Sequence, residues 1–206
     1  MIKKTALIMV DIQNDFCEKG SFSVPDADAI VPLVNQLQAK FDLILATKDW
    51  HPADHASFAS NHHGAKVGDV VNLGDHDQIL WPDHCVQDTH GASFHASLQV
   101  DTIAKIFHKG TDSNIDSYSA SYDNARLRAT GIEQYLKAQA ISDVYIVGLA
   151  TDYCVKFSAL DIARAGFNVY VVADACRGME LIEGAVATAF EEMCVAGVQV
   201  ITSASL

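Results

Sequence analysis

A cysteine at position 154 stands where a nucleophile could act. It lies in VYIVGLATDYCV, residues 144–155, which reads as an apolar strand that breaks at a glycine and restarts as a helix. Backbone N–H groups in the first turn of a helix have no intrahelical partner, so they can stabilise the oxyanion of a reaction intermediate. Free cysteine is also among the most buried residue types, so Cys154 alone could equally be core filler.

Two residues far away in the chain could turn this thiol into a nucleophile. Asp11 could accept the thiol proton and later return it to a leaving group. Lys109 would favour the thiolate electrostatically. Taken singly, Asp11 could be a turn cap and Lys109 a solvated surface lysine.

The start of the helix would act in the same direction as Lys109. Thr151 or Asp152 can serve as its N-cap, which would place Cys154 in the positive field of the helix start. The N–H groups of Ala150 and Cys154 would then face the oxyanion of a tetrahedral intermediate. Together these parts describe acyl transfer through a thioester.

The elements that must bring these residues together are strands of a parallel sheet. Short apolar runs alternate with helical patterns, and near-continuous apolar strands are typical of a parallel sheet covered on both faces. The expected strands are 5–12, 41–48, 102–109, 143–150, 167–174 and 198–204, and the expected helices are 28–40, 125–139, 153–165 and 179–196. We therefore predict a three-layer α/β/α fold with a mostly parallel six-stranded sheet, built by a single domain over residues 1–206.

Ligands of open parallel sheets bind beyond the carboxyl ends of the strands. The residues at or just after these ends are Asp11, Lys48, Asp49, Lys109, the segment 150–154 and Asp174. The sheet would thus gather an acid, an amine and a thiol at one edge. A purely structural interpretation needs three separate coincidences, so the sequence favours a catalytic one.

The segment 49–101 carries no convincing helix or strand pattern, although it holds all but one of the nine histidines. A loop of this length in a compact domain is usually functional or disordered. Asp49 and His51, in KDWHPADHASF, can point the same way in extended backbone. His84, in WPDHC, is the candidate third ligand, with His55 as a competitor. Carboxylate plus imidazole predicts one divalent metal ion, Zn²⁺, Fe²⁺ or Mn²⁺, and the ligand set does not choose among them.

Composition excludes several other classes of function. The formal net charge is −12 and there is no run of lysine and arginine, so nucleic-acid binding is not expected. No stretch of about 18 apolar residues exists, so a membrane span is not expected either. Five cysteines, an odd number without a CxxC pair, predict reduced thiols. The apolar run near the start is too short for a signal peptide and no small-residue cleavage site follows it, so a cytoplasmic protein is expected.

Five blocks of this sequence closely resemble the bacterial nicotinamidases, which belong to the isochorismatase-like cysteine hydrolases. In order, the blocks are ALIMVDIQNDFCEKGSFSV, ATKDWHPADHASFA, WPDHCVQDTHGASFH, KGTDSNIDSYSA and VGLATDYCVKFSALDIARAGFNVYVVADAC. The resemblance runs from about residue 5 to residue 200 without a missing block. It implies the isochorismatase-like, Rossmann-like version of the fold predicted above.

The resemblance also implies roles for particular residues. The matching positions are a catalytic triad of Asp11, Lys109 and Cys154, and metal ligands at Asp49, His51 and His84 with waters completing the shell. Members of the family differ in a further ligand after the DWH motif, where this chain offers His55 or Ser57. The family also has a cis peptide at the position of Leu149–Ala150, which would turn the N–H groups of Ala150 and Cys154 toward one oxyanion.

The activity implied by the resemblance is hydrolysis of nicotinamide to nicotinate and ammonia, a step of NAD salvage, with pyrazinamide as a further substrate. Phe16, Trp81 and Tyr118 fit the walls of a flat ring pocket, although core packing would explain each of them as well. The expected partner is therefore a small molecule. A homo-oligomer is left open, because relatives are often dimers or larger and the sequence carries no interface signature.

Three alternatives remain at the level of sequence. The first is another amidohydrolase of the same superfamily, acting on a carbamoyl or ureido amide. The second is a non-catalytic binding protein on the same fold, which an intact triad disfavours. The third is metal-dependent hydrolysis in which Cys154 is only structural.

Overall fold

A six-stranded parallel sheet forms the centre of the computed structural model, which describes residues 4–73 and 77–206. The strands are β1 Thr5–Val10, β2 Leu43–Asp49, β3 Val70–Asn72, β4 Asp77–Ile79, β5 Lys105–Lys109, β6 Asp143–Leu149, β7 Asn168–Arg177 and β8 Gln199–Ile201. The order in the sheet is β5-β2-β1-β6-β7-β8, and each neighbouring pair is parallel. β3 and β4 pair separately as an antiparallel hairpin.

Helices cover both faces of the sheet. They are α1 Val31–Gln38, α2 Ile132–Ala138, α3 Lys156–Arg164 and α4 Ala185–Val195. Alternate residues of β1 enter two different cores, as the two-residue period of a strand requires. Leu7 packs in the cluster that contains Val34 of α1, whereas Ile8 packs in the cluster that contains Leu136 of α2 together with residues of α3 and α4. The predicted three-layer α/β/α fold is confirmed.

The strands lie near their predicted positions, but two predicted helices are too long at their N-terminal ends. α2 begins only after Gly131 and α4 only after Gly184, whose φ angles are 89° and 84°. Backbone in this left-handed region does not continue a right-handed helix. The other two helices are each preceded by a different kind of turn, a 3-10 turn over Ala27–Ile30 and a π-helical turn over Thr151–Val155.

Asp174 does not end its strand, and the prediction that it stands at the carboxyl edge is wrong. β7 continues to Arg177, because its later residues pair with the end of β6 after a register shift. The Asp174 carboxylate instead accepts hydrogen bonds from the backbone N–H of Ser203, at 2.8 Å, and from the Ser203 hydroxyl, at 2.5 Å. It therefore ties the C-terminal turn to the sheet.

The segment 49–101 is mostly irregular, but the prediction that it holds no strand is wrong for the short hairpin of β3 and β4. Each of these strands has only three residues, too few to show the alternation of buried and exposed positions that identifies a strand in sequence. Among the described residues, no helix is long and apolar enough to cross a membrane.

Candidate active site

The acid, the amine and the thiol meet at the carboxyl edge of the sheet. The Nζ atom of Lys109 lies 2.9 Å from Oδ2 of Asp11 and 3.3 Å from Sγ of Cys154. Asp11 and Lys109 are buried, and Cys154 is 7% exposed. Cys154 also lines a cavity, so it is both in contact with the lysine and open to a small ligand.

Hydrogen bonds to a neighbouring strand and to the loop after β5 hold Asp11 and Lys109 in place. The hydroxyl of Thr47, on β2, donates to Oδ1 of Asp11 at 2.6 Å and accepts the backbone N–H of Asp11 at 3.2 Å. Lys109, the last residue of β5, also donates to the backbone carbonyl of Ser117 at 3.0 Å. Cys154 lies in the π-helical turn that follows β6. The strand ends thus set the relative positions of all three groups.

The structure explains why residue 148, in the stretch before the cysteine, is a glycine. Gly148 does not break the strand, which runs on to Leu149, but allows β6 to pass close to β1. A Cβ atom at Gly148 would lie 2.2 Å from the carbonyl oxygen of Val10, and its φ angle is 120°. Any side chain there would separate the strands that carry Asp11 and Cys154.

Lys109 makes a further ion pair that the sequence did not reveal. Its Nζ atom contacts Oδ1 of Asp49, the carboxylate proposed for the metal site. Burial acts to lower the pKa of Lys109, but Asp11 and Asp49 outweigh it and raise that pKa well above its ordinary value. The amine therefore stays protonated and joins the predicted triad to the predicted metal site.

The two carboxyl groups that share Lys109 titrate in opposite directions. Burial raises the pKa of Asp11, against the opposing effect of Lys109. Burial also acts to raise the pKa of Asp49, but Lys109 and His51 outweigh it and hold this pKa well below its ordinary value. Asp49 is therefore a carboxylate, whereas Asp11 is the group of the pair that can take up a proton.

Cys154 rests as a thiol. Burial raises its pKa well above the ordinary value, and Lys109 lowers it only in part because Asp11 and Asp49 also raise it. Lys109 thus acts in the predicted direction without producing a resting thiolate. The predicted caps are wrong: Ala150 is the N-cap residue of the turn, and no side chain caps it.

Asp49, His51 and His84 form the second part of the site. Oδ2 of Asp49 lies 3.7 Å from Nε2 of His51 and 3.9 Å from Nε2 of His84, and all three residues are buried. One ligand atom from each lies within 4.8 Å of the others. The spacing is close enough for one ion to contact all three.

Hydrogen bonds fix the tautomers of both rings so that Nε2 is available to a metal. Nδ1 of His51 donates to the carbonyl of Gly110 at 2.9 Å, and Nδ1 of His84 donates to the carbonyl of Pro82 at 2.7 Å. The buried Nε2 of His51 has no hydrogen-bond partner among the described residues. A Cβ at Gly110 would lie 2.3 Å from Cε1 of His51, so glycine is required beside this ring. The donor set fits a divalent metal ion.

His55 has a different pattern of hydrogen bonds. The backbone N–H of Ser57 points at Nδ1 of His55 at 3.2 Å, and the Ser57 hydroxyl lies 2.7 Å from the same atom. Because an N–H can only donate, Nδ1 is an acceptor and Nε2 carries the hydrogen of the neutral ring. This Nε2 atom is buried and has no hydrogen-bond partner among the described residues. His55 also offers a ligand atom within 4.8 Å of atoms from His51 and Asp116, so it stays a candidate for a further metal contact, and Ser57 is engaged with His55.

Lys48 follows the predicted strand but does not join the triad. Its Nζ atom lies 4.4 Å from the ring centre of Phe94 and 5.3 Å from that of Trp50. Successive side chains of a strand point to opposite faces, so Lys48 and Asp49 diverge. Of the strand-end residues, the structure therefore brings Asp11, Asp49 and Lys109 together with Cys154.

Aromatic side chains enclose the cavity beside the thiol. Phe16, Trp81 and Tyr118 all line it, as do residues that sequence reasoning missed, namely Phe22, Asp116, Tyr153 and Met179. Nε1 of Trp81 donates to the Tyr118 hydroxyl at 3.2 Å, and the rings of Trp81 and Tyr153 meet edge to face at 5.3 Å. A flat apolar ring could be held between such walls.

Two polar residues that support the site were also missed. The side-chain amide of Gln13 donates to the backbone carbonyl of Asp49 at 2.8 Å, and its oxygen accepts the backbone N–H of Asp49 at 2.8 Å. Oδ2 of Asp15 accepts the backbone N–H of Cys85 at 2.7 Å, next to His84. Both residues lie in the DIQNDF stretch after β1, where a run of polar residues beside a strand end was the available signal. The peptide bond between Leu149 and Ala150 is cis, as the resemblance implied.

The comparisons with known proteins agree with this geometry. The isochorismatase domain model matches residues 5–205. The nicotinamidase of Acinetobacter baylyi is 47% identical over 201 residues, which cover 98% of this chain and 94% of that protein.

Solved structures give the same result. The nicotinamidase/pyrazinamidase of Acinetobacter baumanii superposes with a TM-score of 0.95 at 42% identity and 98% coverage of both chains. The pyrazinamidase of Pyrococcus horikoshii in complex with zinc has a TM-score of 0.78 at 36% identity, covering 97% of this chain and 99% of that one.

Proposed function

This chain belongs to the isochorismatase family, and from that premise we propose that it hydrolyses nicotinamide to nicotinate and ammonia through a thioester on Cys154. The observation that carries the proposal is the position of Lys109, in contact with both Asp11 and Cys154 beside an aromatic cavity. The relatives at 43–47% identity over nearly the whole chain are amidohydrolases of this kind. Pyrazinamide, in which a second ring nitrogen replaces a C–H group, is proposed as an additional substrate.

The first half of the reaction forms the thioester. Asp11 takes the proton of the Cys154 thiol as the sulfur attacks the carboxamide carbon, because burial raises the pKa of this thiol and favours its neutral form. The C=O bond becomes a C–O⁻ bond, and the N–H groups of Ala150 and Cys154 are the proposed donors to this oxyanion. Asp11 then gives its proton to the amide nitrogen, the C–N bond breaks and ammonia leaves.

The second half releases nicotinate. Asp11, again ionised, takes a proton from a water molecule as the water oxygen attacks the thioester carbon. The C–S bond breaks, and Asp11 returns the proton to sulfur to restore the thiol. Lys109 remains protonated throughout and stabilises whichever of Asp11 and Cys154 carries the negative charge.

Asp49, His51 and His84 would hold a divalent metal ion, for which we propose zinc or iron, with manganese a further candidate. When bound, the ion would supply a Lewis acid that binds and polarises the substrate. The carboxylate form of Asp49 and the free Nε2 atoms of both histidines support this assignment. Phe16, Trp81 and Tyr118 would bind the two faces and the edge of the ring.

Ammonia release from nicotinamide tests the proposal directly. The wild-type protein should release ammonia, and both Cys154→Ala and Cys154→Ser should abolish turnover while their metal content, measured by mass spectrometry, stays unchanged. Nicotinaldehyde should inhibit the wild type by reversible addition of the thiol, and this inhibition should be absent from Cys154→Ala. Substantial activity of Cys154→Ser would instead support a metal-dependent reaction without a thioester.

The same assay separates the related functions. A panel of carbamoyl and ureido compounds should be hydrolysed far more slowly than nicotinamide. The reverse order would replace nicotinamide with an amide of that class. Binding of nicotinamide without any turnover, in protein loaded in turn with each of the three metals, would make the chain a binding protein.

A further inference from the structure

The segment 178–184, which follows β7, contributes Met179 to the wall of the cavity. The side chain of Met179 lines the cavity together with Cys154 and packs against the hydrophobic core. Strand β7 and helix α4, which flank this segment, both pack against the turn that carries Cys154. The position of Met179 therefore depends on what fixes this short connection.

Asp152 fixes the connection to the nucleophile turn. Its Oδ1 accepts the backbone N–H of Met179 at 2.9 Å, and its Oδ2 accepts the backbone N–H of Glu180 at 3.0 Å. Asp152 is 6% exposed, and none of the ion pairs between described residues includes it. Each oxygen of this buried carboxylate thus accepts one of two consecutive backbone N–H groups. Hydrogen bonds to a carboxylate are stronger than those between neutral groups.

The approach of the two segments is close enough to require a glycine. A Cβ atom at Gly178 would lie 3.1 Å from Oδ1 of Asp152 and 2.1 Å from Cγ2 of Val186. The other end of the connection is also held, because the Glu180 carboxylate accepts the backbone N–H groups of Gly184, at 2.6 Å, and Val186, at 2.9 Å. Met179 therefore lies between two fixed points.

On the basis of the function proposed above, we propose that Asp152 is a positioning residue that holds Met179 against the ring of the substrate, so that Met179 determines which substituted aromatic carboxamides are accepted. A carboxamide whose carbon is in contact with Sγ of Cys154 must place its ring in the rest of this cavity. Because Asp152 lies two residues before Cys154, the wall and the nucleophile move together. A substituent that meets Met179 would displace the carboxamide from the sulfur.

A double-mutant cycle tests whether Asp152 acts through Met179. The measured quantity is the ratio of kcat/KM for 5-methylnicotinamide to that for nicotinamide. Met179→Ala should raise this ratio by about tenfold, the effect of one methyl group in an apolar pocket, and Asp152→Ala should raise it by a similar factor. The double variant should show little more than either single change, because both remove the same wall. Independent, multiplicative effects would overturn the proposal.

We call the two hydrogen bonds from the backbone of Met179 and Glu180 to Asp152 the clamp. Control variants separate the loss of this clamp from a general loss of structure. Asp174→Ala removes another carboxylate, which accepts two hydrogen bonds from Ser203 and does not line the cavity. This change should leave the ratio unchanged. Asp152→Asn keeps one acceptor oxygen, so it should give an intermediate ratio even if Asp152→Ala fails to fold. A changed ratio in Asp174→Ala, or an unchanged one in Asp152→Asn, would contradict the clamp.

Hydrogen exchange tests the clamp without any substrate. The amides of Met179 and Glu180 should exchange at least tenfold faster in Asp152→Asn than in wild type, since each loses part of its acceptor. Unchanged exchange would overturn the clamp alone. A wild-type protein inactive on nicotinamide would instead overturn the proposed function, so the two failures are distinguishable.

Discussion

The two halves of the site are positioned in different ways. Asp11 and the turn with Cys154 follow two strands of one sheet and Lys109 ends a third, so the hydrogen-bonded ladder sets their separation. Of the three residues predicted to hold a metal ion, only Asp49 belongs to a strand, and His51 and His84 lie in irregular backbone of the segment 49–101. Their side chains are held by backbone carbonyls, and the loop itself is held by side chains such as Asp15.

This difference teaches that a sheet edge can fix reactive groups by topology alone, whereas a loop must be fixed bond by bond. A local change in the loop should therefore weaken the metal site and leave the triad in place. Lys109 is the exception, because it contacts both Asp11 and Asp49 and belongs to both halves.

Replacement of Lys109 by methionine should have the largest effect, because it breaks both halves at once. It leaves two buried carboxyl groups without their cation, which should lower the free energy of unfolding by about 3–5 kcal/mol in urea titrations. It should also lower kcat by about 100- to 1,000-fold, since the developing negative charge loses its partner. Lys48→Met is the control, because Lys48 lies next to Asp49 on β2 but does not contact the triad. Equal losses in both variants would show that Lys109 has no special role.

Asp15→Asn should damage the loop half alone. The hydrogen bond to the N–H of Cys85 is weakened, so His84 is less well oriented and metal affinity in competition with a chelator should fall by about 10- to 100-fold. The rate at which iodoacetamide alkylates Cys154 in the apoprotein should stay as in wild type. Asp42→Asn, which removes a carboxylate from the N–H and hydroxyl of Thr5, is the matched control and should change neither quantity. A slower alkylation in Asp15→Asn would mean that the halves are not separable.

Thr47→Val should shift the pH profile of kcat/KM, because it acts on Asp11 at the edge of the sheet. Asp11 must be ionised to act as a base, and its pKa lies above the ordinary value of 3.8 because it is buried, so kcat/KM should fall as pH drops through that raised value. The Thr47 hydroxyl acts to lower this pKa, and its loss should move the acid limb to higher pH. Because the folded protein binds this proton more tightly than the unfolded chain, the Asp11 contribution to stability should rise over the same fall in pH. An unmoved acid limb would assign it to another group.

Alkylation of individual cysteines should give the smallest of these effects, because each rate reports only the surroundings of one thiol. Cys194 is exposed and should react first with iodoacetamide at pH 8. Cys154 should follow slowly because its pKa is raised, and nicotinate should protect it. The buried Cys17 and Cys176, each with a pKa raised to about 12, should stay unmodified in the folded protein. Peptide mass spectrometry after timed quenching measures each rate, and labelling of Cys154 that nicotinate does not slow would contradict the proposed pocket.

Sequence reasoning located the residues whose positions follow from topology. Strand alternation was enough to place Asp11, Lys109 and Cys154 at one edge, and the Asp-x-His spacing was enough to pair Asp49 with His51. It did not find Gln13 or Thr47, and it gave Asp152 the wrong role, that of a helix cap, because the roles of all three depend on hydrogen bonds to segments distant in the chain.

The charge state of the nucleophile was equally beyond the sequence. Lys109 was expected to favour a thiolate, but the effect of burial is larger and two carboxyl groups share the same amine. The helix bounds failed for a related reason. Gly131 and Gly184 adopt positive φ angles that periodicity cannot reveal, so α2 and α4 begin later than the apolar pattern predicts.

Lys109 and Gly110 are neighbours in the chain, yet one contributes an amine to the triad and the other leaves room for the ring of His51. A single inserted or deleted residue at this point would push a side chain into the imidazole and carry the ammonium group away from its carboxylates in the same event. The join after β5 should therefore tolerate no change in length, whereas surface turns elsewhere in the molecule can grow or shrink without such a penalty.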